Sequence, residues 1–201
     1  MKNLFIAITI ILSLTSSAQT AQETEMFNLV NQVRTNPKSF IPVVEEYIKT
    51  LEVSPESFGG IKLKGVTVTK KTNNAKTITN PLIAEAKDLI IFLKTQKSVK
   101  ALNVSPSLYV IAKAQADYMD TIKNLTHNGP NGESASKRFT KNFILCGENC
   151  ATGTSATNVM LSLLIDYGIK DKGHRKNIFL KEFTKIAVGN TNQYWVQDFG
   201  Y

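Results

Sequence analysis

Sulfur, imidazole and indole are scarce in this chain: its 201 residues include two cysteines, two histidines and one tryptophan. Two cysteines cannot build a disulfide scaffold, so the fold must rest on packing. A hydrophobic content of 42% argues against a disordered chain. With His127 and His174 the only imidazoles, metal or proton-transfer chemistry has two places at which to gather. After residue 18 no apolar stretch is long enough to span a bilayer. The net charge is +8, yet the basic residues are scattered rather than arrayed with interleaved aromatics, so nucleic acid is not an expected partner.

The beginning of the chain differs. Lys2, an apolar run from Leu4 to Leu14 and the small residues Ser16-Ser17-Ala18 read as a secretory signal peptide over residues 1–18. Its removal takes away one charge and leaves +7. The expected product is a secreted, extracellular, basic protein that favours anionic surfaces such as phospholipid headgroups or acidic polysaccharide. Residues 22–201 suffice for a single domain with a sizeable core. Asn103-Val104-Ser105 and Asn124-Leu125-Thr126 are glycosylation acceptors if the source is eukaryotic.

Apolar spacing supplies the elements. Met26, Leu29, Val30 and Val33 predict a first helix that Asn36-Pro37 ends. Residues 39–51 predict a second. Residues 52–80, with Ser54-Pro55, Gly59-Gly60 and a Lys-Thr-Asn-rich stretch, read as an insertion containing a hairpin or loop. Pro81 opens a helix that ends near Gln96, and Ser105-Pro106 opens another along Leu108, Ile111, Ala112, Gln115, Ala116 and Met119. Strands are expected over 143–151, 185–188 and 194–199, and a helix over 156–167. Helices on a small sheet give an α/β or α+β layered domain.

The ordered motifs carry more. They are Leu108-x-x-x-Ala112-x-x-x-Ala116-x-x-Met119, His127, Gly147-Glu148-Asn149-x-Ala151-x-Gly153, Gly173-His174-Arg175-x-Asn177-Ile178, and finally Val188-Gly189 with Tyr194-Trp195-Val196-Gln197-Asp198-Phe199-Gly200. This set resembles the CAP superfamily, which covers cysteine-rich secretory proteins, antigen 5 and plant pathogenesis-related class-one proteins. The likeness is dense over residues 100–201 and weaker over Asn28-Leu29-Val30-Asn31-x-x-Arg34; it does not reach residues 52–80. It implies a three-layer α-β-α sandwich whose cavity collects two histidines and two acidic residues. His127, Glu148 and His174 take three of those places. The fourth falls in Leu163-Leu164-Ile165-Asp166, where the family usually carries Trp-x-x-Glu, so Asp166 is a shorter ligand.

Two neutral imidazoles can hold a divalent ion, zinc being the first candidate, and a carboxylate can coordinate the ion, orient an imidazole or hold a water. Glu148 also has a structural reading, as a buried carboxylate accepting backbone N–H groups, and Asn149 reads as a loop-fixing side chain. In an extended run Cys146 and Cys150 stand about 13 Å apart, beyond disulfide reach. They would share one face with Glu148, so a thiol could tune or join a metal site, or both could be small buried hydrophobes. Lys170, Lys172, Arg175, Lys176 and Lys181 surround His174 in sequence and read as a solvated loop or as a cationic rim to the cavity.

The expected function is that of a secreted, non-enzymatic binding module. Family resemblance supplies the ligand classes: a lipid-like or sterol molecule, a divalent ion or a protein partner. No independent nucleophile with a paired base is evident, so no catalytic residue is assigned. The alternative is a metal-assisted peptidase or esterase with Glu148 as general base and a bound water as nucleophile. A domain acting through its surface alone is a third reading.

Overall fold

The computed structural model describes residues 19–53, 57–58, 61–62, 67–70, 76–79, 81–139 and 143–201. The expected signal peptide lies outside the described residues.

The first helix, α1 (Ala21–Thr35), begins with a capping box. Thr20 Oγ1 accepts from the Glu23 N–H at 3.2 Å, and Glu23 accepts from the Thr20 N–H at 2.7 Å. The buried Glu23 carboxylate also takes the Tyr109 hydroxyl at 3.1 Å and the Asn190 N–H at 2.9 Å, joining three distant elements. Met26, Val30 and Val33 face the core. A 3-10 turn (Pro37–Phe40) leads to α2 (Ile41–Val53). Within 52–80, where a hairpin or loop is expected, the described backbone forms two antiparallel pairs: β1 (Ser57–Phe58) with β2 (Ile61–Lys62), and β3 (Thr67–Lys70) with β4 (Lys76–Thr79). The helix α3 (Pro81–Thr95) follows.

A four-stranded sheet organises the rest, in the order β5 (Asn103–Val104), β7 (Lys185–Asn190), β8 (Tyr194–Gly200) and β6 (Cys146–Thr152). Only the β5–β7 pair is parallel. Periodicity could not have revealed β5, because two residues carry no period. One face of the sheet takes α4 (Pro106–Ile122), whose Leu108, Ala112, Ala116 and Met119 pack with Ala187 and Val196. The other face takes α1, α6 (Ala156–Ile165) and α7 (Gly173–Phe179), with Trp195, Ile186 and Phe199 in that core. The architecture is thus helices layered on both faces of a mixed sheet, the α+β sandwich expected. The remaining helix is the single turn α5 (Ala135–Arg138).

Close approach explains Gly189: a Cβ there would run into the Ala112 carbonyl and the Lys113 nitrogen of α4. Arg34, fully buried on α1, donates to the carbonyls of Lys100 (2.9 Å), Ile178 (2.6 Å) and Leu180 (3.0 Å). Burial lowers its guanidinium to about 10. It anchors the far end of α7, the helix that carries His174.

Candidate functional site

Alternation along β6 sets the first half of the site. Cys146, Glu148 and Cys150 point to the α4 face, while Asn149 and Ala151 point to the other. Across the ladder, Glu148 stands opposite Asp198 and Cys150 opposite Val196. After α4 ends at a left-handed Lys123 (φ 51°), the returning loop carries His127 over this face. Gln115, buried on α4, pins that loop by donating to the carbonyls of Thr126 at 2.8 Å and Asn128 at 3.2 Å.

Glu148 is the hub. Its Oε1 lies 2.8 Å from His127 Nδ1, and its Oε2 accepts from the Arg138 guanidinium. Arg138 also donates to the His127 carbonyl at 2.7 Å and so holds both partners. Cys150 Sγ lies 3.5 Å from Glu148 Oε1, 3.6 Å from His127 Nδ1 and 3.7 Å from the Thr126 carbonyl. Among the described residues the Glu148 carboxylate is therefore met by a ring, a guanidinium and a thiol, not by the backbone N–H groups of its structural reading. Both cysteines are free. Burial, then the Glu148 carboxylate, pushes the Cys150 thiol up; burial, then Asp198, does the same to Cys146.

Asp166 and His174 form a second pair. Asp166 is the left-handed C-cap of α6 (φ 55°), a conformation that aspartate tolerates, and Gly168 (φ 80°) completes the turn. Its Oδ1 accepts from His174 Nδ1 at 2.7 Å. Its Oδ2 accepts from the backbone N–H groups of His174 at 2.9 Å and Arg175 at 3.3 Å. The shorter aspartate thus reaches the histidine by capping the helix on which it rides. Asn149 ties this helix to the sheet, donating to the His174 carbonyl at 3.2 Å and accepting from Asn177 Nδ2 at 2.9 Å.

Each imidazole offers its Nδ1–H to a carboxylate, which leaves Nε2 as the basic nitrogen. The two histidines and two acids expected to converge are therefore arranged as two carboxylate–imidazole pairs. Among the described residues, the groups close enough to share one ion are His127, Glu148 and Cys150, whose donor atoms lie within 4.8 Å of one another. A cavity of about 260 Å3 opens beside them. Leu82, Leu125, Ala151, Leu163, Ile165 and Ile169 make it apolar, with Cys150, Asp166 and His174 also on its wall.

Two residues escaped the sequence reading, and a third, Arg175, was given the wrong surroundings. Arg138 sits in a Ser-Lys-rich turn and gives no signal. Asp198 does give one, as a lone acid in an apolar run: it is wholly buried, and the partner its raised carboxyl finds is the neighbouring Glu148 carboxylate. Burial and the neighbouring Glu148 hold its carboxyl well above the ordinary aspartate value, against the opposing pull of Arg138. Arg175 belongs to no solvated loop; it is buried on α7, 5.0 Å from the Phe92 ring centroid and 3.0 Å from Asp88. Lys172 is taken up by Glu85 at 2.7 Å. None of the five basic residues lines the cavity, which speaks against the second of the two readings, a cationic rim.

Among known proteins, the family model described as CAP, the cysteine-rich secretory protein family, matches residues 27–199. The uncharacterized protein YkwD of Bacillus subtilis (strain 168) is 25% identical over 144 residues, 68% of this chain and 54% of that protein. The chain thus spans about half the length of that relative. An extracellular SCP-domain protein from Bacillus anthracis aligns with a TM-score of 0.46 at 22% identity, over 57% of this chain and 38% of the other. An outer surface protein from Borrelia burgdorferi aligns with a TM-score of 0.43 at 20% identity, over 59% and 89%.

Proposed function

The chain belongs to the CAP, or cysteine-rich secretory protein, family, and from that premise we propose that it works as a secreted, non-enzymatic binding module whose cavity takes a slim apolar ligand beside an ion site. The observation that carries this reading is the cavity of about 260 Å3, with apolar walls and a small polar corner at Asp166 and His174. Binding sites have that composition: apolar surface for affinity and a few polar atoms for orientation. The volume falls just below the roughly 300–1,000 Å3 that accommodates drug-sized molecules. An alkyl or acyl chain suits it better than a fused-ring sterol. Among the described residues no helix is long and apolar enough to cross a membrane.

The donor set also suits a divalent ion. Two imidazoles carry carboxylate partners on Nδ1, the support that raises imidazole basicity and fixes ring orientation in metal sites. His127 and His174 would hold the ion, with Glu148 and Asp166 orienting their rings, and the ion when bound would supply a Lewis-acid centre.

The hydrolase alternative draws on the same donors. It is weakened by Glu148, whose two oxygens are already engaged by His127 and Arg138 and offer a poor base to a water.

Native mass spectrometry of the secreted protein, with metal analysis and lipid extraction, tests the reading. Protein carrying fatty acid or another single-chain lipid supports it. Stoichiometric metal, with peptide or ester turnover that disappears in Glu148→Gln, would replace it by the hydrolase.

A further inference from the structure

Two further hollows, of about 700 and about 840 Å3, adjoin at Val99, Lys181 and Glu182, and neither shares a lining residue with the cavity beside His174. Arg175, Lys176 and Phe179 set the first against α7, where the Phe92 and Phe179 rings meet edge to face at 5.3 Å. Leu145 and Tyr201 line the second. Beyond it the apolar surface continues to Ile144, 90% exposed, whose N–H donates to the Tyr201 carbonyl at 3.0 Å.

The charge along these hollows is of two kinds. Lys172 and Arg175 are taken up by Glu85 and Asp88 and serve the fold. Lys97, Lys100 and Lys176 are exposed and reach no carboxylate among the described residues, and the exposed Lys181 stands 3.8 Å from Glu182. Four lysines thus face two lining carboxylates, Asp171 and Glu182, an excess of positive charge that an acidic partner complements.

Main chain is the third ingredient. Lys97, Ser98, Val99 and Lys100, in the irregular run between α3 and β5, all border the second hollow. The Val99 N–H goes to the Arg34 carbonyl at 2.8 Å, and the Lys97 and Lys100 carbonyls accept from the Gln96 and Arg34 side chains at 2.8 and 2.9 Å. The N–H groups of Lys97, Ser98 and Lys100 and the carbonyls of Ser98 and Val99 take no partner among the described residues. Open main-chain groups beside a groove are what an extended peptide pairs with.

We propose that the adjoining hollows are a docking groove for an extended acidic peptide of a partner protein. Its carboxylates meet Lys97, Lys100, Lys176 and Lys181, and its apolar side chains rest on Phe92, Phe179 and Tyr201. A flat bilayer does not reach into a concave groove. An acidic polysaccharide gains most from an unbroken row of cations, which Asp171 and Glu182 interrupt, and it has no side chains to bury against the Phe92–Phe179 pair. The site is independent of the ligand proposed for the cavity beside His174.

The test is an NMR titration of the isotope-labelled chain with pooled short peptides that alternate Asp or Glu with Leu, Ile, Phe or Tyr. Amide shifts gathered at Lys97–Lys100 and Lys176–Glu182 are expected. Lys97→Glu combined with Lys176→Glu should weaken binding roughly tenfold. Lys137→Glu, exposed and outside both hollows, should leave it unchanged. A pool with Ser at the apolar positions should also bind roughly tenfold more weakly. Circular dichroism checks that each variant is folded, and Lys100→Glu serves if the double variant is not. Equal binding of the serine pool, or tighter binding of alginate or of phosphatidylglycerol vesicles, overturns the peptide in favour of a general anionic surface. Shifts confined to the cavity beside His174, undiminished binding in the folded charge variant, or no binding at millimolar peptide overturns the groove itself.

Discussion

Asp166 holds His174 twice, through the ring at 2.7 Å and through the backbone N–H at 2.9 Å. The carboxylate therefore positions the imidazole and caps the helix that carries it. A residue one methylene shorter than the family's usual glutamate works here because α6 ends in a left-handed turn at that position, bringing the side chain to the start of α7.

Asp166→Asn separates the two roles. Asparagine tolerates the left-handed conformation, so the backbone is kept, but its amide cannot satisfy three N–H donors. A loss of about 1–3 kcal/mol in urea unfolding is expected. Undiminished stability would show that the carboxylate contributes nothing beyond its conformation.

Arg138→Met should be the more damaging change. The Arg138 and Glu148 side chains are 10% and 1% exposed, and removing the guanidinium leaves a buried carboxylate beside Asp198. Breaking a buried pair from one side costs about 3–5 kcal/mol. Adding Glu148→Gln should recover part of that loss, and a double-mutant cycle with no coupling would contradict the arrangement.

Asp198 gives the metal-free protein a specific pH dependence. Its folded carboxyl is held well above the ordinary 3.8, so the folded state keeps a proton that the unfolded chain releases. Its contribution is full below that ordinary value and declines as pH rises through the window toward the raised value. In the presence of chelator, Asp198→Asn should flatten this decline and be the more stable protein at neutral pH. Urea midpoints measured from about pH 4 to pH 8 decide it, and parallel profiles would reject the assignment.

Gly189→Ala tests the packing beneath the site. The new methyl would meet the backbone of α4 at Ala112 and Lys113, which cannot yield as a side chain can. Overpacking of this kind costs about 1–3 kcal/mol. A clear drop in Tm is expected; an unchanged Tm would mean that α4 does not pack this tightly.

Much of the fold was legible because its signals are local. Ser105-Pro106 announces α4, Pro81 opens α3, and the alternation around Gly147-Glu148-Asn149 predicts a strand that places Cys146, Glu148 and Cys150 on one face. The short helix α7 was not legible: Gly173-His174-Arg175 has a charged start, and what holds it are the Asp166 cap and the burial of Arg175 against Asp88 and Phe92. Of the basic residues around His174, the solvated-loop reading holds for the exposed Lys170, Lys176 and Lys181 and fails for Arg175, whose burial is set by side-chain pairing and not by sequence proximity.

The sequence by itself determined the layered fold, the family and the candidate residues around which the paired histidines are built, because apolar period, helix caps and ordered motifs are properties of the chain read in one dimension. Only the tertiary structure decided how those residues are partnered. The β6–β8 register sets Asp198 against Glu148, and the loop after α4 brings His127 and Arg138 onto that carboxylate. The turn after α6 then gives His174 to Asp166 alone. Partnership depends on where distant backbone segments meet, and no spacing within the chain encodes that.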